Sequence, residues 1–490
     1  MVNGDLSIAE RSKLFRHCQG LSSSLLPPGR PRYQRRDDML HTHCGDPLAV
    51  IDRALADDPA FVMGHCLRAA LFLMAGDEPL EEELRRSVVA AEALLQRANA
   101  RERGHIAAAR AWLEGDWVRS VRLYGEVLID YPRDSLALQV AHFGDFLLGK
   151  PAMLRDRVAQ VLPCWDESVP GYGYVLGLYA FGLEETALYE RAERTARRAL
   201  ALDRRNPSAI HAVTHVMEMQ GRQAEGIAWL KATAPDWAEN TRFSIHNWWH
   251  LALFHLDLDE AQEALAIYDE RIRGCHLGQA SALVDASALL WRLHLRGVDL
   301  GERWRELAAC WHAKTPGGPR PFNDAHAMMA FVAGAEDAGA QRLLTALRSR
   351  ARTLDAGGRA VREVGLPLCE ALLAFGQGDY RAAAERLETV RHIAHGFGGS
   401  HAQRDLIHLT LVESALRSYQ PRLARALAAE RTALKPTSRF NWALTTRAEA
   451  RLENAGVVPG PRRGADQDFA PWQPAGNGPV AGLRQPALQG

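Results

Sequence analysis

The sequence predicts an all-α chain, an α-solenoid or superhelix built from antiparallel helix pairs. Three observations predict it. The periodic segments are rich in Ala, Leu, Arg and Glu and seldom β-branched, which is the composition of helices rather than strands. They come in pairs joined by short turns carrying Gly, Asp or Pro. At 490 residues the chain is also too long for one ordinary core, so an elongated array is a natural solution.

Taken in order, residues 1–37 show no helix-pair pattern and are expected to be irregular or to cap the first helices. The repeat array is expected over 38–456. Val62–Gly76 fits its frame, with Pro59 closing the unit before it. The cleanest unit is Arg101–Asp134: helix, Gly115-Asp116-Trp117, helix, Pro132. Counting Gly115 as position 15 puts Trp117 at 17, Val127 at 27 and Pro132 at 32. That is the pattern of a tetratricopeptide (TPR) repeat: an aromatic opens the second helix, small or apolar residues sit where helices touch, and proline ends the unit. The frame continues at Tyr189, Ala192 and Ala199, at Gly221, and at Gly378-Asp379-Tyr380 with Ala383. Looser pairs fall near 243–273, 281–313, 323–350 and 401–434, and the loop Thr315–Phe322 interrupts the register. From Val457 the chain is rich in Gly, Pro and Gln without periodicity, so 457–490 is expected to be a disordered tail.

Composition narrows the function. With 59 basic and 59 acidic residues the net charge is zero, which argues against nucleic acid or an anionic membrane as partner. Seven scattered cysteines without a CxxC pair indicate neither a disulfide framework nor a thiolate zinc site. The first residues lack an apolar leader, and no apolar run reaches the ~18 residues that span a bilayer. A cytoplasmic location is the expectation.

The chemistry concentrates in a stripe of histidines and carboxylates. In a TPR unit the first helix lines the concave face. With Gly221 as position 15, His211, His215 and Glu218 fall at inward positions 5, 9 and 12, on one face of one helix. His246 and His250 follow 35 residues later, and Asp285 follows His250 by 35 more. The sequence thus places His215, His250 and Asp285 at equivalent positions of three successive inner helices, about 8–10 Å apart. These six are the candidate catalytic residues: imidazoles for proton transfer near neutral pH, with carboxylates to orient them. His211, His215, His246 and His250 are also candidate ligands for a divalent metal, the one cofactor the sequence suggests. Tyr174, Glu184 and Glu185 lie one unit upstream. His326, and His401, Arg404 and Asp405 on a helix begun by the Ser400-x-x-Gln403 capping box, can close the site from the far side. Together these seven are candidates for holding a substrate, with Arg404 suited to a carboxylate or phosphate. The plain alternative is that the histidines bond to one another and rigidify a narrow superhelix. Trp248 and Trp249 are expected to pack between helices, His255 to lie outside the stripe, and His41-x-His43-Cys44 to be incidental. No GxxxxGK[ST], GxSxG, HExxH or dinucleotide fingerprint occurs.

The stretches YGYVLGLYAFGLEE (172–185), HAVTHVMEMQGR (211–222), HNWWHLALFHLDL (246–258) and GGSHAQRD (398–405) resemble the tetratricopeptide repeat protein 38 family. The resemblance covers most of residues 40–440 and implies a single TPR-like superhelix. It implies no reaction or ligand. Two classes of function follow from the residues. One is an enzyme, acid–base or metal-assisted, performing hydrolysis, elimination or cyclisation on a small polar molecule. The other is a non-catalytic scaffold holding a peptide or protein in its concave groove. Inward positions rich in His, Glu and Asp and poor in Lys favour the first.

Overall fold

A computed structural model describes residues 47–75, 80–239, 243–274, 279–314, 317–318 and 320–455. The segments 1–37 and 457–490, and the His41/His43/Cys44 motif, lie outside the described residues. Among the described residues every regular element is helical. The helices are α1 (Pro47–Asp57), α2 (Val62–Ala75), α3 (Glu81–Ala93), α4 (Ala100–Leu113), α5 (Trp117–Asp130), α6 (Ser135–Leu147), α7 (Pro151–Val161), α8 (Tyr172–Glu184) and α9 (Tyr189–Leu202). They continue with α10 (Pro207–Met219), α11 (Gln223–Trp237), α12 (Ser244–Asp257), α13 (Ala261–Ile267), α14 (Ala280–Leu295), α15 (Arg303–His312), α16 (Pro321–Ala333) and α17 (Asp337–Arg350). The last are α18 (Ala356–Ala360), α19 (Leu366–Gly376), α20 (Tyr380–Val390), α21 (His401–Arg417), α22 (Pro421–Leu434) and α23 (Arg439–Asn454). Consecutive helices pack in antiparallel pairs, the TPR-like arrangement that the sequence predicts.

One device recurs at the turn inside each pair from α4/α5 onward. The residue ending the inner helix's turn is left-handed: Gly115, Gly149, Ala187, Gly221, Asp259, Gly297, Ala335, Gly378 and Tyr419. The next amide then bonds back to a carbonyl five residues earlier, as from Asp116 to Ala111, Arg222 to Met217, Glu260 to His255 and Glu336 to Phe331. This closes the helix end and reverses the chain. The second helix is then started by a side-chain cap where the residue allows one, such as Asp116 on Arg119 N–H and Asp379 on Ala382 N–H. The expected capping box at Ser400 and Gln403 is present, and a second joins Asn99 and Glu102.

Apolar side chains form two long clusters that run along the array, with Trp248 packed against both. The core is therefore continuous between neighbouring pairs, as in a solenoid. The superhelix also closes on itself. Trp291 Nε1 donates to Thr410 Oγ1 at 2.9 Å, Arg292 to the Ala402 carbonyl at 2.7 Å, and Thr437 Oγ1 to the Gly221 carbonyl at 2.6 Å. Helices α21 and α23 thereby lie across the inner faces of α10, α12 and α14. At Gly149 an added Cβ would stand 1.7 Å from the His395 carbonyl oxygen, so two remote segments touch backbone to backbone.

Candidate functional site

Helices α8, α10, α12 and α14 stand side by side, and their inward residues meet where α21 crosses them. Helix α10 is buried along almost its whole length; Asn206 caps it through Ala209 N–H and Pro207 occupies its first turn. It presents His211, His215 and Glu218. Helix α12 presents His246 and His250, and α14 presents Asp285.

The four imidazoles form one compact group. Ring centroids lie 4.3 Å apart for His211–His215, 4.6 Å for His215–His250, 4.7 Å for His246–His250 and 4.9 Å for His211–His246. One ring nitrogen from each falls within 4.8 Å of the others. His215 and His250 are fully buried, His211 is 7 % exposed and the His246 side chain 17 %, so His246 marks the open side. Phe181 stands edge-on to His215, and Trp249 stacks on His246 at 5.1 Å.

Carboxylates hold the rings from behind. Glu218 Oε2 is 2.7 Å from His250 Nδ1, and Asp285 is 2.9 Å and 3.0 Å from His246 Nδ1. Glu184 Oε2 lies 3.2 Å from His215 Nδ1, without hydrogen-bond alignment. The Nε2 atoms of His211, His215 and His250 are buried and have no hydrogen-bond partner. Each such atom left in a dry interior costs about 1–3 kcal/mol.

Burial favours the neutral form of His211, His215 and His250. Burial pushes His215 down to about 4, against the opposing pull of Glu218 and Glu185. His211 is held well below its ordinary value by burial and then by His215, His246 and His250, which resist sharing positive charge. His250 is depressed for the same first reason. Burial pushes Glu184 up to about 8, aided by Glu218 and opposed by His401 and Arg404. Metal ligation requires a neutral imidazole, and the Nδ1–carboxylate bonds of His250 and His246 are of the kind that orients a metal-binding ring. A tetrahedral ion with ~2.0–2.1 Å bonds would draw the ring nitrogens to roughly 3.4 Å from one another.

The other predicted residues are placed as follows. Glu185 accepts from the His401 backbone N–H at 3.2 Å and faces His401 Nε2 and Arg404 Nη2, each at 3.8 Å. Arg404 also donates to the Gly399 carbonyl. Asp405 is engaged by Arg431 at 2.6 Å. His326 Nδ1 donates to the Phe322 carbonyl at 2.7 Å, and its buried Nε2 has no partner. Tyr174 lies in the first turn of α8 while Glu184 ends it, roughly 15 Å apart along the axis. His255 bonds Glu260, away from the group, and Trp249 packs fully buried, as the sequence suggests.

The 35-residue equivalence needs correcting. The left-handed turn residues Gly221, Asp259 and Gly297 are each 38 residues apart. Counted back from them, His215 is sixth, His250 ninth and Asp285 twelfth (221−215, 259−250, 297−285). The stripe steps back about one helical turn per repeat, which keeps all three on the inner face. Sequence reasoning missed Lys435, which follows α22. Its Nζ lies 3.6 Å from Glu218 and 3.3 Å from Asp257. Asp257, Glu218 and Asp405 raise its pKa despite burial.

No family model matches the chain. Solved structures similar to it include the yeast Tom70, at 13% identity over 87% of this chain and 89% of that one, with a TM-score of 0.30. The Cut9–Hcn1 hetero-tetramer of APC/C gives 12% identity over 90% and 99%, with a TM-score of 0.30. Naa15/Naa10 bound to HypK-THB gives 15% over 86% and 76%, with a TM-score of 0.29. At these scores the likenesses carry no argument about function. No described helix is long and apolar enough to cross a membrane.

Proposed function

We propose that this is a metalloprotein: His211, His215, His246 and His250 hold one divalent transition-metal ion inside a TPR-like superhelix, and the site acts on a small polar molecule. The single observation carrying this reading is the buried, partnerless Nε2 atoms of His211, His215 and His250, in a group whose Nδ1 atoms on His246 and His250 are already bound by carboxylates. Mutual bonding of the histidines would have satisfied those nitrogens. Nitrogen ligands from facing helices suit Zn²⁺, Fe²⁺ or Mn²⁺. Bound there, such an ion supplies Lewis-acid chemistry of the kind used in hydrolysis, elimination or cyclisation. Glu218 and Asp285 fix their imidazoles. Arg404 and His401, on the helix that crosses the site, are suited to orient an anionic substrate group. Membership in the tetratricopeptide repeat protein 38 family and a cytoplasmic location belong to the same proposal, supported by the four matching stretches and the scattered cysteines.

The test is elemental mass spectrometry on untagged protein beside a His246→Ala/His250→Ala variant. Stoichiometric metal in the wild type, lost in a variant with unchanged circular dichroism, is the expected result. A folded wild type that carries no transition metal and takes up none of Zn²⁺, Fe²⁺ or Mn²⁺ on titration refutes it.

A second reading, a scaffold for a protein partner, is favoured by α5. Val118 and Ile129 lie eleven residues apart on one helical face and are 45 % and 70 % exposed. Pull-down with a Val118→Glu/Ile129→Glu variant as control tests it; a partner retained by that variant counts against this surface.

A further inference from the structure

We infer that the site holds two cations, the second bound by Glu184, Glu185 and the Nδ1 of His215, so that His215 joins both. This rests on the four-histidine reading above and deepens it. Glu184 and Glu185 end the same inner helix and are both buried. Their oxygens and one nitrogen of His215 lie within 4.8 Å of one another. Two adjacent carboxylates in a dry interior need compensating charge. The protein supplies little: both Glu184 oxygens lack a hydrogen-bond partner, and Glu185 accepts the His401 backbone N–H at 3.2 Å while the His401 and Arg404 side chains approach it only to 3.8 Å.

The independent observation is His215. Both of its ring nitrogens are buried and make no hydrogen bond, with Nδ1 lying 3.2 Å from Glu184 Oε2, whereas His246 and His250 each give Nδ1 to a carboxylate. One imidazole with two open nitrogens lies in both ligand sets. Bridging requires the ring to release its remaining N–H proton to solvent, and Glu184 to release its carboxyl proton. The ions would then stand roughly 6 Å apart, given ~2.0–2.1 Å metal–nitrogen bonds on either side of the ring. Two carboxylates and one nitrogen suit Zn²⁺, Mn²⁺ or Fe²⁺. Three protein ligands leave coordination positions free, as in catalytic rather than structural sites. The free positions adjoin Arg404, so a small molecule bearing a carboxylate or phosphate is the class of ligand that fits.

The experiment is equilibrium dialysis of metal-stripped, full-length protein against Zn²⁺, read by elemental mass spectrometry. The wild type should take up two equivalents. Glu184→Gln/Glu185→Gln should take up one, and His246→Ala/His250→Ala should lose the other ion, with circular dichroism reporting the fold of each. One equivalent in the wild type, unchanged in Glu184→Gln/Glu185→Gln, overturns the second site and leaves the four-histidine reading intact. One equivalent that both variants abolish means a single shared ion and also overturns it. No uptake overturns both readings. The wild-type stoichiometry decides the matter even where a variant fails to fold, and zinc anomalous scattering from crystals should show two peaks.

Discussion

Replacing Glu218 by Gln should weaken metal binding more than it weakens the fold. Glu218 is buried, and its Oε2 sits 2.7 Å from His250 Nδ1. The carboxylate fixes the ring and makes its other nitrogen more basic. Loss of such an outer partner costs roughly 10–100-fold in metal affinity, or about 1.4–2.7 kcal/mol. The upper end applies here, because Lys435 at 3.6 Å would lose one of its carboxylate neighbours and leave its positive charge beside a cation site. The assay is competition for Zn²⁺ against a chromophoric chelator at pH 7. Glu413→Gln is the control: that carboxylate is equally buried but pairs with Arg417 and Arg447 at the far end of α21. It should lower the melting temperature and leave Zn²⁺ affinity unchanged. A folded Glu218→Gln protein whose affinity stays within about twofold of wild type would refute the reasoning that Glu218 acts through His250.

Three further outcomes test the fold. Ala335 is left-handed at φ 57°, so Ala335→Gly should stabilise the protein by about 0.5–1 kcal/mol, while Gly378→Ala, where a Cβ would meet no atom, should destabilise it by about 1 kcal/mol; urea melts read both. Asp134, bound by Arg101 at 2.5 Å and His105 at 2.7 Å, is held well below the usual carboxylate range. Its stabilisation is therefore present above the unfolded-state value near ~3.9 and lost as pH falls toward the folded-state value, so Asp134→Asn should be less stable than wild type at pH 7 and the gap should narrow below about pH 4. Gly149→Ala should cost about 2–4 kcal/mol by driving a Cβ into the His395 carbonyl, and a melting temperature equal to wild type would show that the two segments do not press together.

The turns show why the repeat was only partly legible. Gly115, Gly221 and Gly378 advertise a left-handed residue and anchored the frame. Ala187, Ala335 and Tyr419 adopt the same conformation without any compositional sign, each closing its helix with the same bond back over five residues. Helix α6 was not set apart in the sequence because it is apolar nearly all round, with residues buried on every face and no stripe to read. The histidine group was legible because each pair sits four residues apart on one inner helix. The 35-residue spacing nevertheless concealed a drift of one turn per repeat. Lys435 was not legible, since its role depends on a fold-back that no local pattern encodes, and Asp405 looked available only because Arg431 could not be foreseen beside it.

The closure of the superhelix also sets a timetable. An ordinary solenoid grows usefully as it is made, each unit docking on the one before. Here Glu218 leaves the ribosome 217 residues ahead of Lys435 (435−218), its neighbour in the finished protein. At ~5–20 residues per second the interval is on the order of 10–40 s. For most of it the histidine face of α10, joined by that of α12 once Asp257 is made, is without α21, which begins only at His401. If the proposed site binds metal, a nascent chain in that state would offer its imidazoles to any ion at hand, so the order of synthesis, and not coordination chemistry alone, would bear on which ion the last repeat encloses.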